Sequence, residues 1–312
     1  MSTPAKKGIW ATMITPFTED DKIDFAAVEK MLEWYDRASI DGIFSLCYSS
    51  EILRLTSKEK NELFSFIFKN MPKGMGLAAS GHSATDSVAQ LDDLKALRDL
   101  GAPILVLVGN RLAAQDEDDN VLLERAYHIM KEIPDVPLGL YECPYPYKRS
   151  FSPQLLGTLA KTGRFVFMKE TSCHMDEIQA KLEATKDTPF GLYNANSATL
   201  LSSLKAGAAG FCGIMCNFHP DLYAEMYQAF LNGNDALARK IQALLGVLSV
   251  YEHQYYPVNA KAYLKQEGLG FTERSRLQDC AGLTYGMRVE LDEMRELTEI
   301  ARELIRKEKA AG

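Results

Sequence analysis

Short apolar runs alternate with longer amphipathic segments between residues 9 and 215, and this alternation limits the possible folds more than any other feature. Strands are predicted at Ile9–Pro16, Gly42–Cys47, Met75–Ala79, Ile104–Val108, Leu138–Cys143, Phe165–Lys169, Phe190–Asn194 and Gly210–Met215. Helical periodicity separates them, at Phe25–Ser39, Ser57–Lys69, Ala84–Leu100, Glu117–Glu132, Pro153–Thr162, Asp176–Thr185 and Ala198–Ala206. Eight strands joined through helices predict an α/β protein with a parallel sheet.

Local signals support several of the helix boundaries. Asp24 precedes the first helix, and Thr56 precedes the second with Glu59 three residues later, which is the spacing of a capping box. Gly101 and Gly207 follow the third and seventh helices, where a left-handed residue ends many helices. These signals predict helix starts and ends independently of the apolar pattern.

Two architectures fit eight βα units, a closed (β/α)8 barrel and an open doubly wound sheet. An open sheet that binds a dinucleotide usually carries a glycine-rich turn after its first strand, and residues 12–20 contain none. We therefore expect a (β/α)8 TIM barrel over residues 1–218. Residues 219–312 are expected to form a C-terminal helical extension on the barrel, with helices at Leu222–Leu231, Asp235–His253, Val258–Gln266 and Leu283–Lys307.

Composition narrows the classes of function. The formal net charge of −7 argues against binding to nucleic acid or to an anionic membrane, which needs clustered lysine and arginine. No apolar run approaches the length of a membrane span, and the N-terminus has no signal-peptide pattern, so we expect a cytoplasmic protein. Six cysteines in 312 residues do not indicate a disulfide framework. A small-molecule ligand is the expected partner.

Two polar residues end neighbouring strands of the predicted barrel. Lys169 closes an apolar strand, and Tyr141 lies near the end of the strand before it. Active sites of such barrels lie at the carboxyl ends of the strands, and a buried lysine with a lowered pKa is a nucleophile. A phenol beside it could relay protons. The alternative is structural, with Lys169 reaching solvent or pairing with Glu170 and Tyr141 serving only in packing.

Other polar groups give weaker signals. Ser49 and Ser50 follow the second strand and could bind a carboxylate through hydroxyl and main-chain N–H groups, although Ser-Ser is also common in turns. Cys212, Cys216 and His219 lack the paired spacing of a zinc site, so no metal is expected. No cofactor is predicted either.

The order of these motifs resembles that of the dihydrodipicolinate synthase and N-acetylneuraminate lyase superfamily of class I aldolases, over nearly the whole chain. Tyr141-Glu142-Cys143-Pro144 stands where the family usually has Tyr-Asn-x-Pro, and Met168-Lys169-Glu170-Thr171 stands where it has an apolar residue followed by Lys-Glu. Tyr48-Ser49-Ser50-Glu51 is similar to its Thr-Thr-Gly-Glu turn, and Pro257–Lys261 to its late Pro-x-x-x-Lys element.

The resemblance implies a lyase whose lysine, here Lys169, forms a Schiff base with pyruvate or another 2-oxo acid. It implies that Tyr141 relays protons and that Ser49 and Ser50 hold the substrate carboxylate. It further implies a homo-oligomer, a dimer or a tetramer. Tyr48 replaces a small hydroxyl residue of the family and is expected in the pocket wall, and Asn194 is expected to contact the substrate.

Several departures argue against dihydrodipicolinate synthesis itself. Pro146 stands where the lysine-biosynthetic members have an arginine for the second substrate, and Val108-Gly109-Asn110 replaces their tyrosine pair. Tyr193-Asn194-Ala195-Asn196 also lacks the acidic residues of sialic acid lyases. The sequence therefore predicts an aldolase or dehydratase with a different second substrate. The alternative hypothesis is a catalytically lapsed barrel that binds 2-oxo acids or regulates another protein, and a metal-dependent aldolase has no ligand cluster to support it.

Overall fold

The computed structural model describes residues 3–311 and shows a closed barrel of parallel strands in sequential order. The strands are β1 Gly8–Thr12, β2 Gly42–Ser45, β3 Gly76–Ala79, β4 Leu105–Val108, β5 Leu138–Tyr141, β6 Phe165–Glu170, β7 Gly191–Asn194 and β8 Gly210–Gly213. Strand β8 pairs with β1, which closes the barrel. The predicted (β/α)8 fold is confirmed.

Helices surround the barrel and form the C-terminal extension. Those of the barrel are α1 Phe25–Arg37, α2 Ser57–Asn70, α3 Ser87–Asp99, α4 Gly109–Leu112, α5 Asp119–Glu132, α6 Pro153–Ala160, α7 Met175–Ala184 and α8 Leu200–Lys205. The extension contains α9 Pro220–Leu231, α10 Asp235–Leu248, α11 Val258–Gln266 and α12 Tyr285–Ala311. Among the helices within residues 3–311, none is both long enough and apolar enough to cross a membrane.

The predicted helix caps are present. The Asp24 carboxylate accepts a hydrogen bond from Ala27 N at 3.1 Å. Thr56 Oγ1 accepts from Glu59 N at 3.2 Å, while Glu59 Oε2 accepts from Thr56 N at 2.9 Å, which completes the capping box. Gly101 and Gly207 have φ values of 90° and 104°. The predicted capping side chains therefore accept hydrogen bonds from main-chain N–H groups at the helix starts. The two glycines adopt the positive φ values that end a helix.

The structure corrects the predicted helix Asp235–His253. Helix α10 ends at Leu248, and residues Ser249–His253 form a separate 3-10 turn. The β-branched residues Val247 and Val250 flank this boundary and favour helix only weakly. This turn contains Glu252.

Large aromatic side chains fill the barrel interior below the carboxyl ends of the strands. The Trp10 and Phe167 rings lie 5.2 Å apart between centroids, and Phe167 stacks on Tyr193 at 4.7 Å. A Cβ atom on Gly42 would lie 2.4 Å from the Trp10 ring, so this position has no room for a larger residue. The interior is therefore packed, and polar chemistry is confined to the carboxyl-terminal mouth.

A buried ion pair fixes the extension to the barrel. Lys261 of α11 contacts the carboxylate of Glu51, which follows β2, and both side chains are fully buried. The other oxygen of Glu51 accepts hydrogen bonds from Ser275 Oγ at 2.9 Å and from the main-chain N–H groups of Arg276 and Leu277 at 2.6 and 3.1 Å. Burial lowers the pKa of Lys261 to about 8, although Glu51 opposes that shift. One carboxylate thus connects the β2 loop to two segments of the extension.

Replacing Glu51 with glutamine is expected to lower the free energy of unfolding by about 3 kcal/mol, because it leaves the buried Lys261 ammonium without a counter-charge. Denaturant unfolding followed by circular dichroism measures the change. The exposed pair Lys58–Glu62 provides the control, since Lys58→Met should change stability by less than about 0.5 kcal/mol. Equal stabilities of Glu51→Gln and wild type would show that the pair does not anchor the extension.

Candidate active site

Lys169 and Tyr141 meet at the carboxyl end of the barrel, as the sequence predicts. Their Cα atoms are register partners on β6 and β5. Both side chains are buried, with Lys169 only 4% exposed, and Lys169 Nζ lies 4.9 Å from the centroid of the Tyr141 ring. Burial raises the pKa of the Tyr141 phenol well above its usual value, so the hydroxyl keeps its proton at neutral pH. The pair combines an amine with a proton donor.

The structural alternative for Lys169 is excluded by its surroundings. Within residues 3–311 its amine forms neither an ion pair nor a hydrogen bond, and the side chain does not reach solvent. The Glu170 carboxylate pairs instead with Lys181 Nζ at 2.9 Å, on the helix side of the strand. Lys169 is therefore not half of a structural ion pair.

The mouth of the barrel contains an acidic residue that the sequence analysis missed. Glu252 lies on the 3-10 turn after α10. Burial raises the pKa of its carboxyl group, and the nearby charge of Lys169 opposes this rise without cancelling it. The side chain is 12% exposed, and Oε1 lies 3.4 Å from Nε2 of the exposed His253. Because the sequence predicts one continuous helix here, it gives no signal that this residue turns toward the mouth.

Three buried thiols lie near the amine of Lys169. Burial raises the pKa values of Cys143, Cys212 and Cys216, and the positive charge of Lys169 partly opposes this rise. Burial brings the pKa of Cys212 to about 12. These thiols are thus neutral at physiological pH and give Lys169 a weakly polar environment. Among the residues described, no three His, Cys, Asp or Glu side chains are grouped to hold a metal ion.

The turn after β2 places its two serines in different roles. Ser50 Oγ donates to Met13 O at 2.6 Å and accepts from Cys47 N at 3.1 Å, while Ser50 N donates to Cys47 O at 3.0 Å. Ser50 is therefore occupied in holding the turn. Ser49 is also buried, but its main-chain N–H has no hydrogen-bond acceptor within residues 3–311. Of the two, Ser49 is the one that offers a free donor.

A small pocket lies on the β3–β5 side of the mouth and reaches Tyr141. Tyr48 and Tyr145 stack over it with ring centroids 5.4 Å apart. The Asn110 amide fixes the adjoining loop by donating to the carbonyl groups of Cys143, Tyr145 and Tyr147. The other lining residues include Ser80, His82, Val108 and Arg111. Tyr48 thus forms part of the pocket wall, where the sequence analysis expected it.

Asn194 is not brought to this pocket. Its Nδ2 donates to Thr199 Oγ1 at 2.9 Å and to Ser203 Oγ at 3.0 Å, and its Oδ1 accepts from Asn196 N at 2.8 Å. The amide joins β7 to α8 and the turn before it. Both of its N–H groups are used there, so this geometry lends no support to the expected contact between Asn194 and the substrate, which stays a prediction.

Comparison with known proteins identifies the family of the chain and structures with the same fold. The family model of the dihydrodipicolinate synthetase family matches residues 5–279. The chain is similar to the 4-hydroxy-tetrahydrodipicolinate synthase of Acaryochloris marina, with 25% identity over 83% of this chain and 87% of the relative. That of Microcystis aeruginosa is 26% identical, over 75% of this chain and 77% of the relative.

Solved structures with the same fold include two dihydrodipicolinate synthases. The Bacillus anthracis structure has a TM-score of 0.85 and 22% identity, and covers 95% of this chain and 99% of its own. The Acinetobacter baumannii structure is described as chloride-inhibited and complexed with pyruvate. It has a TM-score of 0.85 and 20% identity, and the match covers 94% of this chain and 99% of the Acinetobacter chain. Together with the matched family model, these likenesses show that the chain belongs to the dihydrodipicolinate synthetase family.

Proposed function

We propose that the protein is a lyase that acts on pyruvate or another 2-oxo acid through a Schiff base at Lys169. The observation that carries this proposal is the buried amine of Lys169, which has no counter-ion in the described chain and lies against the Tyr141 ring. The neutral amine is the form of lysine that attacks a keto carbon to form a Schiff base. Membership of a family of such lyases supports the same chemistry.

The reaction begins when the neutral amine of Lys169 adds to the C2 keto carbon of the substrate. The resulting carbinolamine loses its hydroxyl group as water once that group receives a proton, and an iminium ion forms. The iminium withdraws electrons from the bond at C3, so a proton or a carbon substituent can leave C3 and give an enamine. Tyr141, whose phenol is protonated and adjacent, is proposed to deliver and recover the protons of these steps.

The turn after β2 is proposed to hold the carboxylate of the 2-oxo acid. Ser49 supplies the free main-chain N–H, and Ser50 keeps the turn in place through its bonds to Met13 and Cys47. A pyruvate complex of the structurally similar Acinetobacter baumannii enzyme supports a 2-oxo acid as the ligand class. We therefore assign binding to Ser49 and support of the turn to Ser50.

The second substrate is proposed to differ from that of the lysine-biosynthetic enzymes. The pocket beside Tyr141 is bounded by the stacked rings of Tyr48 and Tyr145, and Arg111 is the cationic residue in its wall. Pro146 occupies the place where those enzymes have an arginine. This combination favours an aldolase or dehydratase reaction on a compound other than the dihydrodipicolinate precursor.

Wild-type protein is expected to catalyse exchange of the pyruvate methyl protons with deuterium oxide, because the enamine regains a solvent proton at C3. Loss of the methyl signal by proton NMR measures this reaction without any second substrate. A protein that only binds 2-oxo acids, which is the rival hypothesis, would protect or broaden the signal but leave the exchange rate at that of buffer. Absence of exchange with pyruvate and with longer 2-oxo acids would contradict the proposed function.

A further inference from the structure

Glu252 is held at the mouth of the barrel by the contacts of the turn that carries it. The 3-10 turn Ser249–His253 packs against the turn Ile214–Asn217, which directly follows β8. Tyr251 O, next to Glu252, accepts a hydrogen bond from Asn259 Nδ2 of α11 at 2.8 Å. The turn is thus attached both to the barrel and to the extension, and the Glu252 carboxyl group lies near the carboxyl end of β8.

The Glu252 carboxyl group has little to stabilise its negative charge. Within residues 3–311 it forms no ion pair with a lysine or an arginine, and its one charged neighbour within 4 Å is the exposed His253. The charge of Lys169 acts on it from a longer distance. Burial outweighs both effects and raises the pKa of Glu252. The carboxyl group can therefore take up a proton more readily than an exposed glutamate.

Formation of a Schiff base requires one proton to be moved twice. An ammonium group must lose a proton before its nitrogen can attack a keto carbon, and the carbinolamine hydroxyl must gain a proton before it leaves as water. The ammonium and the ketone together give an iminium ion and water, so this proton is neither produced nor consumed overall. Between the two steps, a group near the nitrogen has to hold it.

Among the ionisable groups near Lys169, Glu252 is the one that suits this task. Tyr141 and the three buried thiols already carry a proton at neutral pH, because burial raises their pKa values. Each of them can pass a proton on, but none can store an additional one. A carboxylate can accept the proton from an ammonium group, and a raised pKa favours the protonated form.

Other ionisable groups also face Glu252. Burial raises the pKa values of Cys173, Tyr223 and Tyr256, and the charge of Glu252 adds to this rise. These groups are therefore protonated at neutral pH, as Tyr141 is. His253 contacts Glu252 Oε1 at 3.4 Å but is itself exposed. Glu252 thus remains the buried group at the mouth that can change its protonation near Lys169.

We propose that Glu252 stores the proton that Lys169 gives up before its attack and returns it when the carbinolamine hydroxyl leaves as water. This inference rests on the proposed function and adds a residue to it. As water leaves, the C2–O bond breaks with its electron pair on oxygen, and the nitrogen lone pair forms the C=N bond. Tyr141 remains the relay to the substrate. Glu252 is then a carboxylate, and its negative charge stabilises the iminium ion.

The test is the rate of Schiff-base formation with pyruvate, followed by rapid mixing, quenching with borohydride at set times and weighing of the intact protein. Glu252→Gln keeps the size of the side chain but cannot accept the proton, so the rate at saturating pyruvate should fall by about tenfold. Glu252→Asp keeps a carboxyl group and should recover part of the rate. The pyruvate concentration that gives half the maximal rate should change by less than about threefold, whereas a distorted site would raise it further.

Circular dichroism checks that each variant is folded. If Glu252→Gln does not fold, Glu252→Ala replaces it, with the same expected loss and a partial recovery of the rate when formate supplies a carboxylate.

Glu267→Gln is the matched control, because Glu267 is a partly buried glutamate of the same extension that pairs with Arg295 Nε at 3.1 Å. It should leave the rate within about twofold of wild type. A wild-type rate in folded Glu252→Gln, or an equal loss in Glu267→Gln, would overturn the inference while Lys169 stays the Schiff-base lysine. Absence of any adduct in wild-type protein would contradict the proposed function, and the inference with it.

Discussion

Replacing Lys169 with methionine is expected to lower the rate of pyruvate proton exchange by more than about a thousandfold, because the nucleophile that forms the imine is removed. Methionine matches the length of the lysine side chain and suits its buried site, so the variant should stay folded. Borohydride reduction in the presence of pyruvate should then add no mass to the intact protein.

Lys148→Met is the control for this experiment. Lys148 lies on the same end of the barrel, is exposed, and donates from Nζ to Thr171 O at 2.6 Å. Its replacement should leave both exchange and reductive trapping within about twofold of wild type, since exposed lysines keep their protons at neutral pH. Persistent trapping in Lys169→Met would show that another amine forms the adduct.

Replacing Tyr141 with phenylalanine is expected to slow pyruvate proton exchange by about a hundredfold, the lower end of what general acid–base groups contribute. The ring contacts with Phe44 and with the Lys169 amine survive, so the expected loss reflects the missing hydroxyl. Borohydride trapping at long incubation should still reach completion, because the amine is intact. This separates proton relay from imine formation.

Tyr193→Phe tests whether any buried phenol near Lys169 has this effect. Tyr193 is the register partner of Lys169 on β7, but its hydroxyl donates to Lys6 O at 2.7 Å. The variant should retain nearly full exchange activity. A similar loss in Tyr193→Phe and Tyr141→Phe would indicate a general packing defect instead of a specific proton relay.

The barrel and the meeting of Lys169 with Tyr141 at its mouth could be predicted from the sequence because each depends on a repeated or local signal. Apolar periodicity defines the eight βα units, and neighbouring strand ends must share the mouth of a closed barrel. Lys169 and Tyr141 follow from that rule alone. The capping residues Asp24 and Thr56 were predictable for the same reason, since their partners lie three residues away.

The remaining parts of the site depend on contacts between distant segments. In the sequence Ser50 appears to offer a free hydroxyl donor, but in the structure that hydroxyl donates to Met13 O in the loop after β1. The sequence predicts that Asn194 contacts the substrate, but in the structure its Nδ2 donates to the hydroxyl groups of Thr199 and Ser203. Glu252 gives no local pattern at all, because the turn after α10 decides where this charge lies. Contacts between residues that lie so far apart in the sequence depend on the complete fold.

The most direct test of the account is to locate the adduct after wild-type protein is incubated with pyruvate, reduced with borohydride and digested. We predict that fragment masses place one reduced pyruvyl group on Lys169. Placement on Lys148, Lys181 or Lys261, or no adduct on a protein that still exchanges pyruvate protons, would contradict the assignment of Lys169 as the amine that forms the Schiff base.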